Sequence, residues 1–318
     1  MFSAIKRSVK MSLDRLIEKI IRLDNPTVVG LDPKLEYIPE YILSKNFEQY
    51  GETLEAAAES LFEFNKGIID AVCDIVPAVK PQCAYYEMYG WQGVRALYRT
   101  VSYAKEKGMF VITDGKRNDI GTTMAAYSDA HLGNVRIGSK TVTPFGADAL
   151  TVNGYLGTDG IKPLLSVCEK TDTGIFVLVK TSNASSGELQ DQPMNNSTLY
   201  QVMGDMCEKW GDMLEIGKYG YSAVGAVVGA TYPAQLSELR KSLKKTFFLV
   251  PGYGTQGAGA ADIVGAFDKD GIGAVINSSR AIMCAYRNNG TNEKDYAQAS
   301  RSEALRMKND INMHLNNR

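Results

Sequence analysis

The chain has 318 residues, 44% of them hydrophobic, and a formal net charge of −1. That length and apolar content suffice for a large core, and the near-neutral charge gives no electrostatic footprint for nucleic acid, which needs a basic face or stripe. Five cysteines at wide spacing with no CxxC pair argue against a disulfide framework and a structural zinc site, and fit reduced thiols in a cytoplasmic protein; two histidines, His131 and His314, are too few for a His-rich metal site.

The N-terminal stretch MFSAIKRSVK is basic and free of acids, as some transit peptides are. It leads into Leu13, Leu16, Ile17, Ile20 and Ile21, the apolar stripe of an amphipathic helix, so residues 1–26 read as a packed helical extension rather than a targeting signal. No apolar run in the chain reaches the length of a membrane span.

From residue 27 onward, short β-branched runs ending in polar or glycine punctuation recur eight times. They are TVVGLD (27–32), PAVKPQ (77–82), MFVITDGK (109–116), DALTVNG (148–154), GIFVLVKTS (174–182), SAVGAVVGA (222–230), TFFLVPGYG (246–254) and GAVINSSR (273–280). Segments of helical period lie between them, for example LEAAAESLFEFNKGIIDAV and PAQLSELRKSLKK. Strict alternation predicts parallel β-α units, and eight of them predict a closed (βα)8 TIM barrel of one domain over 27–318 rather than an open sheet. The strands are nearly continuous apolar runs, as burial on both faces requires. The longest interruption follows strand five, over 183–221: a polar loop, NASSGELQDQPMNNS, then a helix around 199–215. Such an insertion at a barrel mouth is either a lid or a mobile surface segment.

Polar residues collect at the C-terminal strand ends: Asp32, Lys80, Asp114 with Lys116, Asn153, Ser182, Gly254 and Arg280. Active sites of this fold are built on that face. In DGKRND, Asp114 and Lys116 are two residues apart and can point to the same side, while Asp119 lies beyond the turn, where it reads equally as a helix cap. Lys80, on the neighbouring strand, stands between apolar residues with little room to reach solvent. Singly each residue is structural; as a set they favour catalysis. A lysine flanked by carboxylates is a fixed proton donor, suited to a reaction that expels an anionic group and leaves a carbanion. The stretch VPGYGTQGAGA (250–260), with glycines at 252, 254, 257 and 259, precedes the Arg280 strand. Loops after strands seven and eight commonly form a phosphate site, with glycine backbone close to the anion and an arginine beside it, so the expected substrate is a small phosphate ester.

DxKxxD followed by I-x-x-T, here Asp114, Lys116, Asp119, Ile120 and Thr123, resembles the orotidine 5′-phosphate decarboxylase family. The resemblance continues at Asp32 in GLD, Lys80 in AVK, Ser182 in KTSN, Gln256 in PGYGTQG and Arg280 in SSRAI, over roughly residues 27–285, and is similar to the longer bacterial subfamily in length and in the GLDP opening. It implies a cofactor-free, metal-free lyase of pyrimidine biosynthesis that turns orotidine monophosphate into UMP and CO2. By the same resemblance Lys116 protonates C6, Asp114 lies near the departing carboxylate and Lys80 orients Asp114 and the ribose. Asp32 and Thr123 hold ribose hydroxyls, Ser182 contacts the pyrimidine, and Gln256 and Arg280 hold the phosphate beside the Gly254 loop. The family is homodimeric, and Asp119 is then expected to act in the partner's site. Gly121 stands where short forms carry proline. Magnesium-dependent sugar-phosphate decarboxylases and aldolases related to the family keep DxKxxD but carry a Glu near the end of strand two, where this chain has Lys80. A catalytically silent phosphate-binding barrel would have no need of Lys116.

Overall fold

In a computed structural model, which describes residues 12–254, 257–288, 290 and 292–317, eight parallel strands close into a barrel. They are β1 (Thr27–Leu31), β2 (Ala78–Pro81), β3 (Phe110–Arg117), β4 (Ala149–Val152), β5 (Gly174–Lys180), β6 (Val224–Val228), β7 (Phe248–Pro251) and β8 (Ala274–Ser278). Each pairs with its neighbours in sequence, and β1 pairs with β8 (Thr27 opposite Ile276) to close the ring. All eight expected runs are strands. Side chains alternate between two cores, as strand geometry requires. Val28, Ala78, Phe110, Ile112, Ala149, Phe176, Leu249 and Val275 fill the barrel, while Val29, Val79, Val111, Ile175 and Ile276 pack outward under the helices.

Helix α1 (Ser12–Leu23) closes the N-terminal end of the barrel. Leu13, Leu16, Ile17 and Ile20, at i, i+3, i+4 and i+7, are buried in the interior cluster. At about 1.5–3 kcal/mol per buried side chain, this stripe outweighs any single polar tie of the helix. Ile21, expected on the stripe, is 52% exposed, because it lies a further 100° round the helix from Ile20. Arg15 on the polar edge donates to Asp148 (2.7 Å), which is buried just before β4, and Asp14 accepts from the backbone N–H of Lys218 (2.8 Å). Among the described residues, no helix is long and apolar enough to cross a membrane.

The insertion after β5 is not a plain polar loop. Residues Ala184–Ser186 and Gly187–Gln190 form short helical turns, Pro193–Met194 pairs with Ser197–Thr198, and helix α2 (Leu199–Gly211) ends four residues earlier than expected. The segment is pinned to the strand it leaves. The Gln190 side chain accepts from the Thr181 N–H (2.9 Å) and donates to its hydroxyl (2.7 Å), and Asp191 pairs with the buried Lys180 (2.7 Å), whose ammonium also lies over the Tyr232 ring.

Candidate active site

The charged cluster sits on an irregularity of β3. Thr113 is opposite Leu150 on β4 and Arg117 is opposite Val152, so Asp114, Gly115 and Lys116 together face the single residue Thr151. This is a bulge, a device that re-aims side chains beside active sites. Lys116 carries it with φ +47°, a left-handed conformation that costs a non-glycine residue on the order of 1 kcal/mol. Its backbone N–H donates to Thr151 Oγ1 (3.0 Å), and the Thr151 hydroxyl donates to Asp114 Oδ1 (2.7 Å).

Asp114 therefore accepts from three sides. Lys116 Nζ reaches Oδ1 at 2.6 Å and Lys80 Nζ reaches Oδ2 at 2.7 Å. Asp114 and Lys80 are buried, whereas the Lys116 side chain is 45% exposed toward the mouth. Burial alone pushes the Asp114 carboxyl up, but the two ammonium groups hold it well below the usual carboxylate range. Burial likewise pulls Lys80 down, and facing Asp114 and Asp32 more than reverses it, leaving Lys80 above the ordinary lysine value. The result is a carboxylate that stays ionised and has both oxygens engaged, beside an ammonium that is fixed yet open to a ligand.

Asp32, Lys80, Asp114, Lys116 and Arg280 line one cavity of about 410 Å³, with Gly252 at the glycine-rich end. Gly252 and Gly254 have φ of +107° and +83°, conformations in which the backbone after β7 can turn at glycine without cost. Gly254 approaches the segment after β8: a Cβ there would lie 3.6 Å from that of Ala281. Gln256 lies outside the described residues.

Four expected residues do not line this cavity within the chain: Gly254, one residue past its lining residue Tyr253, and Thr123, Asp119 and Ser182. Thr123 is exposed on helix α3 (Gly121–His131). Asp119 does not cap that helix, whose N-cap is Ile120; its Oδ1 accepts from the Ile120 N–H (2.8 Å). Ser182 is half-buried beyond the end of β5, its carbonyl accepting from Thr231 Oγ1 (3.2 Å), with Gly229 leaving the room its backbone needs.

Other residues of the cavity were not anticipated. Asn277 on β8 is buried with an unpartnered Oδ1, as is one oxygen of Asp32. Ser279 lies against Gly30, where a Cβ would come within 1.9 Å of its hydroxyl, which accounts for the glycine of GLD. Gln82 and Tyr85 complete the wall beside Lys80. The signal for Thr151 and Asn277 was available in the pattern: each is a polar residue at an inward position of an otherwise apolar strand. Among the described residues, no three His, Cys, Asp or Glu side chains gather into a metal-binding set.

The family model described as "Orotidine 5′-phosphate decarboxylase / HUMPS family" matches residues 28–294. The chain is 43% identical over 296 residues to the orotidine 5′-phosphate decarboxylase of Rhodopirellula baltica, covering 92% of this chain and 96% of that one. It is 40% identical over 299 residues to that of Caldicellulosiruptor bescii, with 94% and 97% covered. Among solved structures it is similar to Leishmania donovani OMP decarboxylase, at 27% identity and a TM-score of 0.69 over 94% of this chain and 98% of that one.

Proposed function

The chain belongs to the orotidine 5′-phosphate decarboxylase / HUMPS family and is a carboxy-lyase of pyrimidine biosynthesis acting on orotidine 5′-phosphate, and on that premise we propose how its residues divide the work. The observation that carries the reading is the Lys80–Asp114–Lys116 contact, 2.7 and 2.6 Å, in the same cavity as Asp32 and Arg280.

The C6–carboxylate bond breaks and its electron pair stays on C6. Lys116 Nζ delivers a proton there, CO2 leaves, and the lysine is reprotonated from solvent, so the balance is substrate plus one proton to UMP plus CO2. A fixed ammonium beside C6 stabilises the charge as it develops, without reorganisation at the moment of reaction. Asp114 meets the substrate carboxylate with like charge, a repulsion that ends when CO2 departs. Lys80 holds Asp114 and, with Asp32, faces the ribose. Arg280 and the backbone around Gly254 and Gln256 receive the phosphate, and Ser182 reaches the pyrimidine once ligand is in place. Binding energy from the phosphate end is then available for the reacting ring.

The working form is a homodimer in the cytoplasm, with the barrel over 27–318 as one catalytic domain and the first 26 residues as its extension. Support for the dimer lies at the mouth: Ile120, Tyr155 and Leu156 are 52%, 73% and 44% exposed, and Asp119 joins their elements, its carbonyl 3.0 Å from where a Cβ on Gly160 would sit. Such a surface directs Asp119 and Thr123 outward, into a partner's cavity. Five free cysteines, four of them buried, suit a reducing compartment.

The test follows the loss of orotidine 5′-phosphate absorbance with purified protein in excess chelator. Full activity is expected; activity lost in chelator and restored by Mg²⁺ would move the chain to the sugar-phosphate branch. Mixing Lys116→Ala with Asp119→Ala under mild dissociating conditions tests the shared site. Random re-association makes half the dimers mixed, each with one intact site, so about a quarter of wild-type activity should return. No recovery, with mixed dimers confirmed by mass, would place Asp119 in its own chain's service.

A further inference from the structure

We infer that Thr151 is a positioning residue for the decarboxylation, the strut that holds the β3 bulge in the form that aims Lys116; the inference rests on the role proposed for Lys116. Three residues of β3 face this one residue of β4, so the regular ladder cannot supply their partners. Thr151 stands in that gap, 1% exposed, and its single hydroxyl does two jobs. It accepts the Lys116 N–H at 3.0 Å and donates its own hydrogen to Asp114 Oδ1 at 2.7 Å. With the oxygen accepting the amide hydrogen, its own proton goes to the carboxylate oxygen 2.7 Å away. The hydroxyl thus ties together the backbone and the charge partner of the same lysine.

The tie matters because Lys116 is left-handed at φ +47°. A non-glycine residue stays in that region only when its surroundings over-determine it. The ammonium then folds back to Asp114 Oδ1 at 2.6 Å, on the oxygen that Thr151 also holds. Without the hydroxyl, the Lys116 amide and one side of Asp114 lose a shared anchor, and the lysine tip is free to drift. A displacement of about 1 Å at a reacting group can cost on the order of 100-fold in rate. Thr151 does not line the substrate cavity, so its loss should leave ground-state binding in place.

Three variants separate hydroxyl from packing. Thr151→Val keeps the shape, Thr151→Ala removes the shape as well, and Thr151→Ser keeps the hydroxyl. Expected kcat on orotidine 5′-phosphate is near wild type for Ser, within about threefold, and about 10- to 100-fold lower for both Val and Ala, with KM within about threefold throughout. Should Val fail to fold, Ala against Ser carries the comparison. A kcat that follows side-chain volume, with Val near wild type and Ser below it, overturns the inference; so does a loss that appears only in KM. Titration of each variant with UMP is independent of turnover. Unchanged UMP affinity with lowered kcat supports the strut, and weakened affinity in Val and Ala overturns it. Failure of the underlying reading would show differently, as wild-type protein inactive on the substrate.

Discussion

Replacing Asp114 with asparagine removes a negative charge from between two ammonium groups, and their surroundings determine which one is harmed. Lys116 is 45% exposed and can turn to water, while Lys80 is 4% exposed and cannot. Asparagine keeps the volume, so no cavity forms and the cost is electrostatic. Removing one member of a buried ion pair costs roughly 3–5 kcal/mol. Asp32 also faces Lys80, so the lower figure, about 3 kcal/mol, is expected. At about 2–4 °C per kcal/mol for a chain somewhat shorter than this one, and correspondingly less here, the melting temperature should fall by roughly 4–6 °C. Adding Lys80→Met removes the stranded charge and should bring the melt back to within about 2 °C of wild type, since a neutral pair of similar volume often replaces a buried ion pair without loss. Both proteins should turn over orotidine 5′-phosphate at least about 1,000-fold more slowly, because the preorganised charge beside C6 is gone. Thermal melts and the absorbance assay read the two effects separately. A single variant melting within about 1 °C of wild type would refute the buried-charge reasoning. A double variant less stable than the single would show that Lys80 acts through packing instead.

Lys116→Gly should abolish turnover while shifting the melt little, since relief of the φ +47° backbone by about 1 kcal/mol is offset by the lost ion pair to Asp114; a near-normal kcat would end the proton-donor assignment. Arg280→Ala should raise KM for orotidine 5′-phosphate, lowering kcat/KM by about 100-fold or more, and leave the melt unchanged; an unaltered KM would put the phosphate elsewhere. His131 is buried and stacked on Phe145, and burial, with Arg117 nearby, lowers it from 6.5 to about 4. The folded state therefore refuses a proton that the unfolded chain accepts. Stability should be full above pH 6.5 and be lost on acidification toward pH 4, by up to about 3 kcal/mol. Urea unfolding at the two ends of that window should show a smaller difference in His131→Leu than in wild type, and equal differences would exclude the histidine as the cause.

The eight strands were legible because burial on both faces forces apolar runs, and because each run ends where the chain returns to water. Asp114, Lys116, Lys80, Asp32 and Arg280 were legible as charges at those ends, and they do share a cavity. The bulge was not. A register shift is set by what pairs across the sheet, and nothing local to DGKR announces that Thr151 must face three residues. Ser279 was hidden for a similar reason, since its meaning depends on Gly30 of the adjoining strand, whereas Asn277 was signalled by its polar side chain at an inward position. The insertion after β5 read as unstructured polar chain because its pins, Lys180 to Asp191 and Thr181 to Gln190, join residues whose pairing only the folded path reveals. Ile21 was placed on the apolar stripe because composition alone does not say how wide the buried face of α1 is.

With Leu13, Leu16, Ile17 and Ile20 stoppering its lower end, the barrel is a blind well rather than a tunnel. Whatever enters at the mouth must leave by it. On the proposed assignment, carbon dioxide freed beside Asp114 has no rear exit, and until it passes the mouth it shares the cavity with the nucleotide. For that interval the gas stays next to the carbanion it has just left, and recombination competes with departure. If Lys116 is the donor, as proposed above, proton delivery is the step that makes the split irreversible, and in a vessel with one opening the lysine would serve as the commitment device as much as the acid.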